Sequence, residues 1–185
     1  PRLVLKEAFF LRELVKSDST ELLNSKLKLL DRAISIVENA LVDLIKYPER
    51  SIKMYLKVEL AALLGTKAVQ YARSKNYSLA KSTYEEIMRL ISTSFASNPE
   101  NYGALDVIGW ATRDLIKEGV FNEEEKPNIQ ADLAYLLESA EIEGISEQNQ
   151  NDFDNLKLKF NELIQNQNIA DSVFEKLKAA GLASG

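Results

Sequence analysis

Residues 61–80 read AALLGTKAVQYARSKNYSLA, and residues 105–124 read LDVIGWATRDLIKEGVFNEE. Laid over one another at an offset of 44, Leu64-Gly65 falls on Ile108-Gly109, Ala61 on Leu105, Tyr71 on Leu115, Ala72 on Ile116 and Tyr77 on Phe121. Each stretch carries a small residue in mid-helix, where a neighbouring helix can approach closely. Each also carries an aromatic in the turn that follows. A period of about 20–50 residues is the mark of stacked supersecondary units, none of which can bury its apolar face alone.

Working outward, the punctuation is sparse: 7 Gly and 4 Pro in 185 residues. Between the prolines the apolar residues recur at helical spacing, and no run alternates as a strand would. The spacing predicts a first helix over residues 2–16 and a polar break at 17–20. Asp18 and Glu21 cap a second helix that stops before Pro48, because the residue before proline avoids the helical region. A third helix covers residues 50–75. Ser78 is the expected N-cap of a fourth, which ends near Ser97. A fifth runs over 101–118 and closes at Gly119, which accepts the left-handed cap conformation. Asn122 with Glu125 opens a sixth, ended by Gly144. A seventh over 146–166 and a short eighth from Asn168 to Gly181 complete the reading. The expectation is an all-α chain, a single helical-repeat domain of antiparallel hairpins over about 1–46, 50–97, 101–143 and 146–181. Pro1 stands without a Met and helix begins at once, as in a piece of a longer protein.

The first unit resembles a tetratricopeptide repeat. Leu64-Gly65 is similar to the family's Leu-Gly pair, and Asn76-Tyr77-Ser78-Leu79-Ala80 to its Asp-Tyr-x-x-Ala turn. Tyr84 and Ile87 fit its second helix, and Asn98-Pro99-Glu100-Asn101 its closing Asp-Pro-x-Asn. The gaps from Gly65 to Ala80 and from Ala80 to Pro99 exceed the family's, Ala68 stands where an aromatic is expected, and Glu124 replaces the small residue in the second unit. The resemblance covers about residues 50–145 and implies a long-helix variant: a right-handed α-solenoid of stacked antiparallel hairpins. The run from Asn98 to Lys117 is also similar to helical regions that follow the NTPase module of large bacterial signalling ATPases. Both resemblances imply a cytoplasmic interaction or sensing module.

Composition removes much chemistry. With no Cys and no His there are no disulfides, thiol nucleophiles, Ser-His-Asp triads or Glu-x-x-His di-iron sites. Gly65-Thr66-Lys67 lacks the first Gly of a phosphate loop, and the acids around Asp152 lack the Gly and the terminal Glu of a calcium loop. No metal, no cofactor and no enzymatic activity are expected, and no apolar run approaches the ~20 residues of a membrane span.

The expected function is therefore recognition of a protein or peptide partner. On a helical wheel, Glu59, Thr66, Gln70 and Arg73 form a polar stripe on the otherwise apolar third helix. Asp106, Arg113, Asp114 and Lys117 form one on the fifth, with Trp110 in its middle. The family's ligand-facing positions map to Glu59, Ala62, Thr66, Val69 and Gln70, and to Gly103, Asp106, Trp110, Arg113 and Asp114. The candidate partner-binding set is Glu59, Thr66, Gln70, Arg73, Asp106, Trp110, Arg113 and Lys117, with the indole as an anchor, since Trp and Arg dominate binding hot spots. Charge leaves an alternative open. Residues 46–75 carry a net +5 and residues 118–154 a net −10. The basic helix at 50–75, with Lys53, Lys57, Lys67 and Arg73, could serve a nucleic acid or nucleotide. A ligand-free structural bundle is the third reading.

Overall fold

The stretch around Gly65 lies on the helix that touches four others among the described residues. The computed structural model describes residues 2–16, 23–44, 50–97 and 102–139. Among them are six α-helices and no β-sheet: α1 Arg2–Lys16, α2 Leu23–Asp43, α3 Arg50–Arg73, α4 Tyr77–Ser97, α5 Tyr102–Lys117 and α6 Lys126–Ser139. The proposed seventh and eighth helices, the Asp18 cap and the Gly144 stop lie outside the described residues.

Helix α3 packs against α1, α2, α4 and α5. Its sequence, apolar on nearly every side, predicts that burial over residues 52–64. The buried part lies later: Leu56 is buried, but the continuous run is Leu60 to Gln70, broken only by Lys67. The α1 helix and α5 approach α3 on either side, so Thr66 and Gln70 of the polar stripe are enclosed with the apolar residues. The odd-numbered helices touch in series, α1 on α3 and α3 on α5, while α2 packs on α1 and α3, α4 on α3 and α5, and α6 on α5. Helices α3 and α5 run the same way, since Gly65 lies beside Trp110 and Arg73 beside Glu118.

The core is one continuous cluster. Ala8, Leu11 and Val15 of α1 meet Leu30, Ala33 and Val37 of α2 and the interior of α3; Ile87 and Ile91 of α4, Ile108 and Leu115 of α5 and Leu133 of α6 extend it. The apolar first helix serves two faces. Ala8, Leu11 and Val15 are buried, whereas Leu3, Phe9, Phe10 and Leu14 are exposed.

The turns keep the 44-residue period in their hydrogen bonds. After α3, the Asn76 amide donates to the Tyr71 carbonyl at 2.9 Å and the Lys75 amide to Ala72 at 2.9 Å. After α5, Val120 donates to Leu115 at 3.1 Å and Gly119 to Ile116 at 3.0 Å. Both are Schellman caps, which need a left-handed residue at the position after the helix. Gly119 supplies it at φ 73°, and Lys75 supplies it at φ 64°. A side chain there costs about 1 kcal/mol that glycine avoids. Lys75→Gly is therefore expected to stabilise the protein by about 0.5–1 kcal/mol in urea denaturation, and Gly119→Ala to destabilise it by about 1 kcal/mol. Equal effects of one sign at both positions would contradict the cap assignment.

Asn76, not Ser78, caps α4: its side-chain oxygen accepts from the Leu79 amide at 3.4 Å and its carbonyl from Ala80 at 3.1 Å. The three-residue turn leaves Ser78 already inside the helix. The pair before α6 is as the sequence predicts. The Glu125 amide donates to the Asn122 side-chain oxygen at 2.8 Å, and Glu125 accepts from the Asn122 amide at 2.9 Å. The Lys81 ammonium grips both Glu125 oxygens, at 2.6 and 2.8 Å, and ties α4 to this turn. These bonds, that of Lys81 first, hold the Glu125 carboxyl below its ordinary pKa. Above the turn, the Tyr84 hydroxyl shares a 2.9 Å hydrogen bond with Thr112, and its ring meets Phe121 edge-on at 5.2 Å. Burial pushes the Tyr84 phenol above its ordinary pKa.

Candidate functional site

Between α3 and α5, with the end of α1 closing one side, lies a cleft of about 330 Å³ lined by Lys16, Thr66, Val69, Gln70, Arg73, Trp110, Arg113 and Asp114. Its origin is the close approach at Gly65. A Cβ built there would stand 2.8 Å from Trp110 Cη2 and 3.3 Å from both Trp110 Cζ2 and Ala111 Cβ. The indole therefore lies edge-on against bare backbone, half-buried, with the rest of the ring turned to the cleft. The Lys16 ammonium stands 5.4 Å from the ring centroid, within the range of a cation–π contact.

The polar lining is of two kinds. Thr66, 3% exposed, satisfies its hydroxyl by donating back to the Ala62 carbonyl at 2.9 Å. Gln70 is 4% exposed, lines the cleft, and has no hydrogen bond to its side-chain amide among the described residues. The cations are held from outside the lining or from its edge. Arg73 Nε lies 3.3 Å from Glu118, Arg113 Nε 3.0 Å from Asp114, and Lys16 Nζ 3.1 Å from Glu13. Each guanidinium thus commits only its Nε, leaving four of the five N–H donors that a guanidinium carries.

Five of the eight residues proposed from the sequence meet in this cleft: Thr66, Gln70, Arg73, Trp110 and Arg113. Val69 and Asp114, mapped from the family pattern, join them. Glu59, Asp106 and Lys117 do not. Glu59 faces α1, where its Oε1 lies 3.2 Å from Arg12 Nε. Asp106 and Lys117 are exposed on α5, outside the lining. Lys16 is the residue that sequence reasoning missed. It sits at the end of α1, 50 residues from Thr66 in the chain, and only the α1–α3 packing brings it in.

The basic residues of α3 do not form one surface. Lys53, Lys57 and Lys67 lie within about 80° of one another around the helix, but Arg73 is about 160° from Lys53. Lys67 is engaged by Asp31 of α2 at 2.6 Å. Burial opposes its charge, but the hydrogen bond and charge of Asp31, with Tyr71, outweigh that and raise its pKa.

A second hollow of about 330 Å³, floored by Tyr84, Met88, Phe121 and Ile129, lies against α4 and α6. No group of three or more potential metal ligands is found among the described residues, and none of their helices is long and apolar enough to cross a membrane. No family model matches the chain, and no curated protein or solved structure shows significant similarity to it.

Proposed function

We propose that the chain is a tetratricopeptide-like solenoid, acting in the cytoplasm, whose odd-numbered helices line a concave face, and that a peptide or a partner helix binds there, in the cleft between α3 and α5. One observation carries this reading. Five of the eight residues singled out by the repeat pattern and the helical wheel line a single cavity around the one tryptophan. The chain of contacts α1 on α3 on α5 supports it, since stacked hairpins put their first helices side by side. A cavity just above the ~300 Å³ lower bound for ligand sites suits one or two side chains better than a cofactor. The absence of His and Cys and the lack of a paired catalytic acid and base in the lining favour recognition over catalysis. The nucleic-acid reading has less behind it, because Lys67 is committed to Asp31 and Arg73 belongs to the cleft.

The test is a peptide-display selection on the immobilised protein, repeated with Trp110→Ala/Arg113→Ala. Sequences enriched on the parent are expected to lose at least about tenfold in affinity for the double variant. A Lys53→Ala/Lys57→Ala control on the far side of α3 should keep them. Unchanged capture by the cleft variant would overturn the proposal.

A further inference from the structure

The cleft has a charge and a donor set that select among partners. Its lining holds three cations, Lys16, Arg73 and Arg113, against one acid, Asp114, a net +2. Glu13 and Glu118 anchor two of the cations but do not line the cavity. Gln70, 4% exposed, also lines it, and its side-chain amide makes no hydrogen bond among the described residues. Its N–H donors are open to an oxygen that enters the cleft. The free guanidinium N–H groups of Arg73 and Arg113 are forks that match a tetrahedral oxyanion in pairs. Asp114, paired with Arg113, opposes an entering anion but is outnumbered by the three cations of the lining, and the Trp110 ring and Val69 offer apolar surface to the carbon that carries the anion.

We propose that this cleft takes a phosphate monoester, as the dianion, borne by a phosphorylated residue of the partner segment. The inference rests on the partner-binding reading and adds the chemistry of the group recognised. A dianion matches the net charge of the lining more closely than a carboxylate, and it engages the guanidinium N–H groups that the Nε ion pairs leave open. Its three terminal oxygens suit the two guanidinium groups and the Gln70 amide together. Such binding weakens as the monoester takes up its second proton near pH 6. The groups that face it are Lys16, Arg73, Arg113 and Asp114, with Glu13 and Glu118 behind them.

The experiment uses the full chain and reads the emission of Trp110, the one tryptophan. The probes are N-acetyl-phosphoserine amide, the same blocked residue flanked by three alanines on each side, inorganic phosphate, sulfate and N-acetyl-glutamate amide. Saturable change is expected with both phosphoserine probes at about pH 8, falling at least about fivefold in affinity at about pH 5. Sulfate keeps its charge over that range and reports any titration of the cleft itself. Arg73→Gln and Arg113→Gln should each weaken phosphoserine at least about tenfold, and Gln70→Met, which keeps the volume, at least about threefold. No emission change at millimolar probe, an equal response to N-acetyl-glutamate amide, or indifference to both arginine substitutions overturns the inference. Inorganic phosphate binding as tightly as the phosphopeptide also overturns it, because the anion would then be a free metabolite. Selected peptides that need Trp110 and Arg113 but ignore phosphorylation leave the partner reading standing and remove this one.

Discussion

Replacing Gly65 with Val is expected to destabilise the protein by about 3 kcal/mol, lowering its melting temperature by about 6–12 °C. The first carbon of any side chain at this position would lie 2.8 Å from the indole edge and 3.3 Å from the Ala111 methyl. The Ala111 methyl cannot retreat, and the indole can give way only toward the cleft, past Lys16. Ala111 is fully buried, and Trp110 is wedged between α3 and the Lys16 side chain. Valine adds two methyl groups at the same crossing. Alanine is the more instructive substitution, because two effects oppose. A glycine inside a helix costs about 1 kcal/mol relative to alanine, so on α3 alone Gly65→Ala would stabilise. Overpacking of about 1–3 kcal/mol works against it. A net loss of about 1 kcal/mol is expected, with a shift of the tryptophan emission as the ring is displaced into the cleft. In a Trp110→Ala background the 2.8 Å clash is gone, only the 3.3 Å contact with Ala111 is left, and the sign should reverse, Gly65→Ala then gaining up to about 1 kcal/mol. Urea denaturation of the four proteins decides it. A gain in both backgrounds would mean that α3 and α5 do not meet at this residue.

The same glycine shows why part of the molecule could be read in advance. Local rules settle local structure: Gly119 for the cap of α5 and the Asn122 and Glu125 pair for the entry to α6 are written in residues a few positions apart. The repeat pattern and the wheel share five residues with the cleft because both record which face of a helix carries polar side chains. They failed where the cause lay elsewhere in the chain. Lys75 adopts a glycine-like conformation because the Schellman bonds to Tyr71 and Ala72 impose it, and no residue type announces that. Ser78 looks like a cap, but the turn is two residues shorter than that assignment needs, and Asn76 caps instead. Lys16 and Glu59 are both placed by packing distant in the chain. A helical wheel shows Glu59 as polar and hence as free to meet a ligand, whereas the register of α1 on α3 brings Arg12 to it. The same register carries Lys16 to Trp110.

That Arg12–Glu59 contact supports the last expectation. The side chains are only 11% and 13% exposed, and the facing atoms, 3.2 Å apart, are not aligned as a hydrogen bond. Burial raises the Glu59 carboxyl above its ordinary value of 4.5; Arg12 and then Lys16 pull it down, and Glu13 pushes it further up. The net upward direction means that, for this carboxylate, desolvation outweighs attraction. Between pH 4.5 and its folded value the native protein holds more proton than the unfolded chain. The contribution of this group to stability is therefore full below the unfolded value and is lost as pH rises through the folded one. Removing one partner is a different matter. Glu59→Ala leaves a guanidinium that cannot shed its charge, with Glu13 at 4.0 Å and the Phe9 ring as its remaining partners, and is expected to cost about 3 kcal/mol at neutral pH. Arg12→Met leaves a carboxylate that can take up a proton, so its loss at neutral pH should shrink on acidification. Replacing both, as Arg12→Met with Glu59→Leu, joins α1 to α3 by apolar contact beside Leu11 and Leu60. It is expected to lie within about 1 kcal/mol of the parent or to exceed it. Denaturation of the four proteins across a pH series reads all of this. A double variant as unstable as Glu59→Ala would show that the ion pair itself holds the first hairpin to α3.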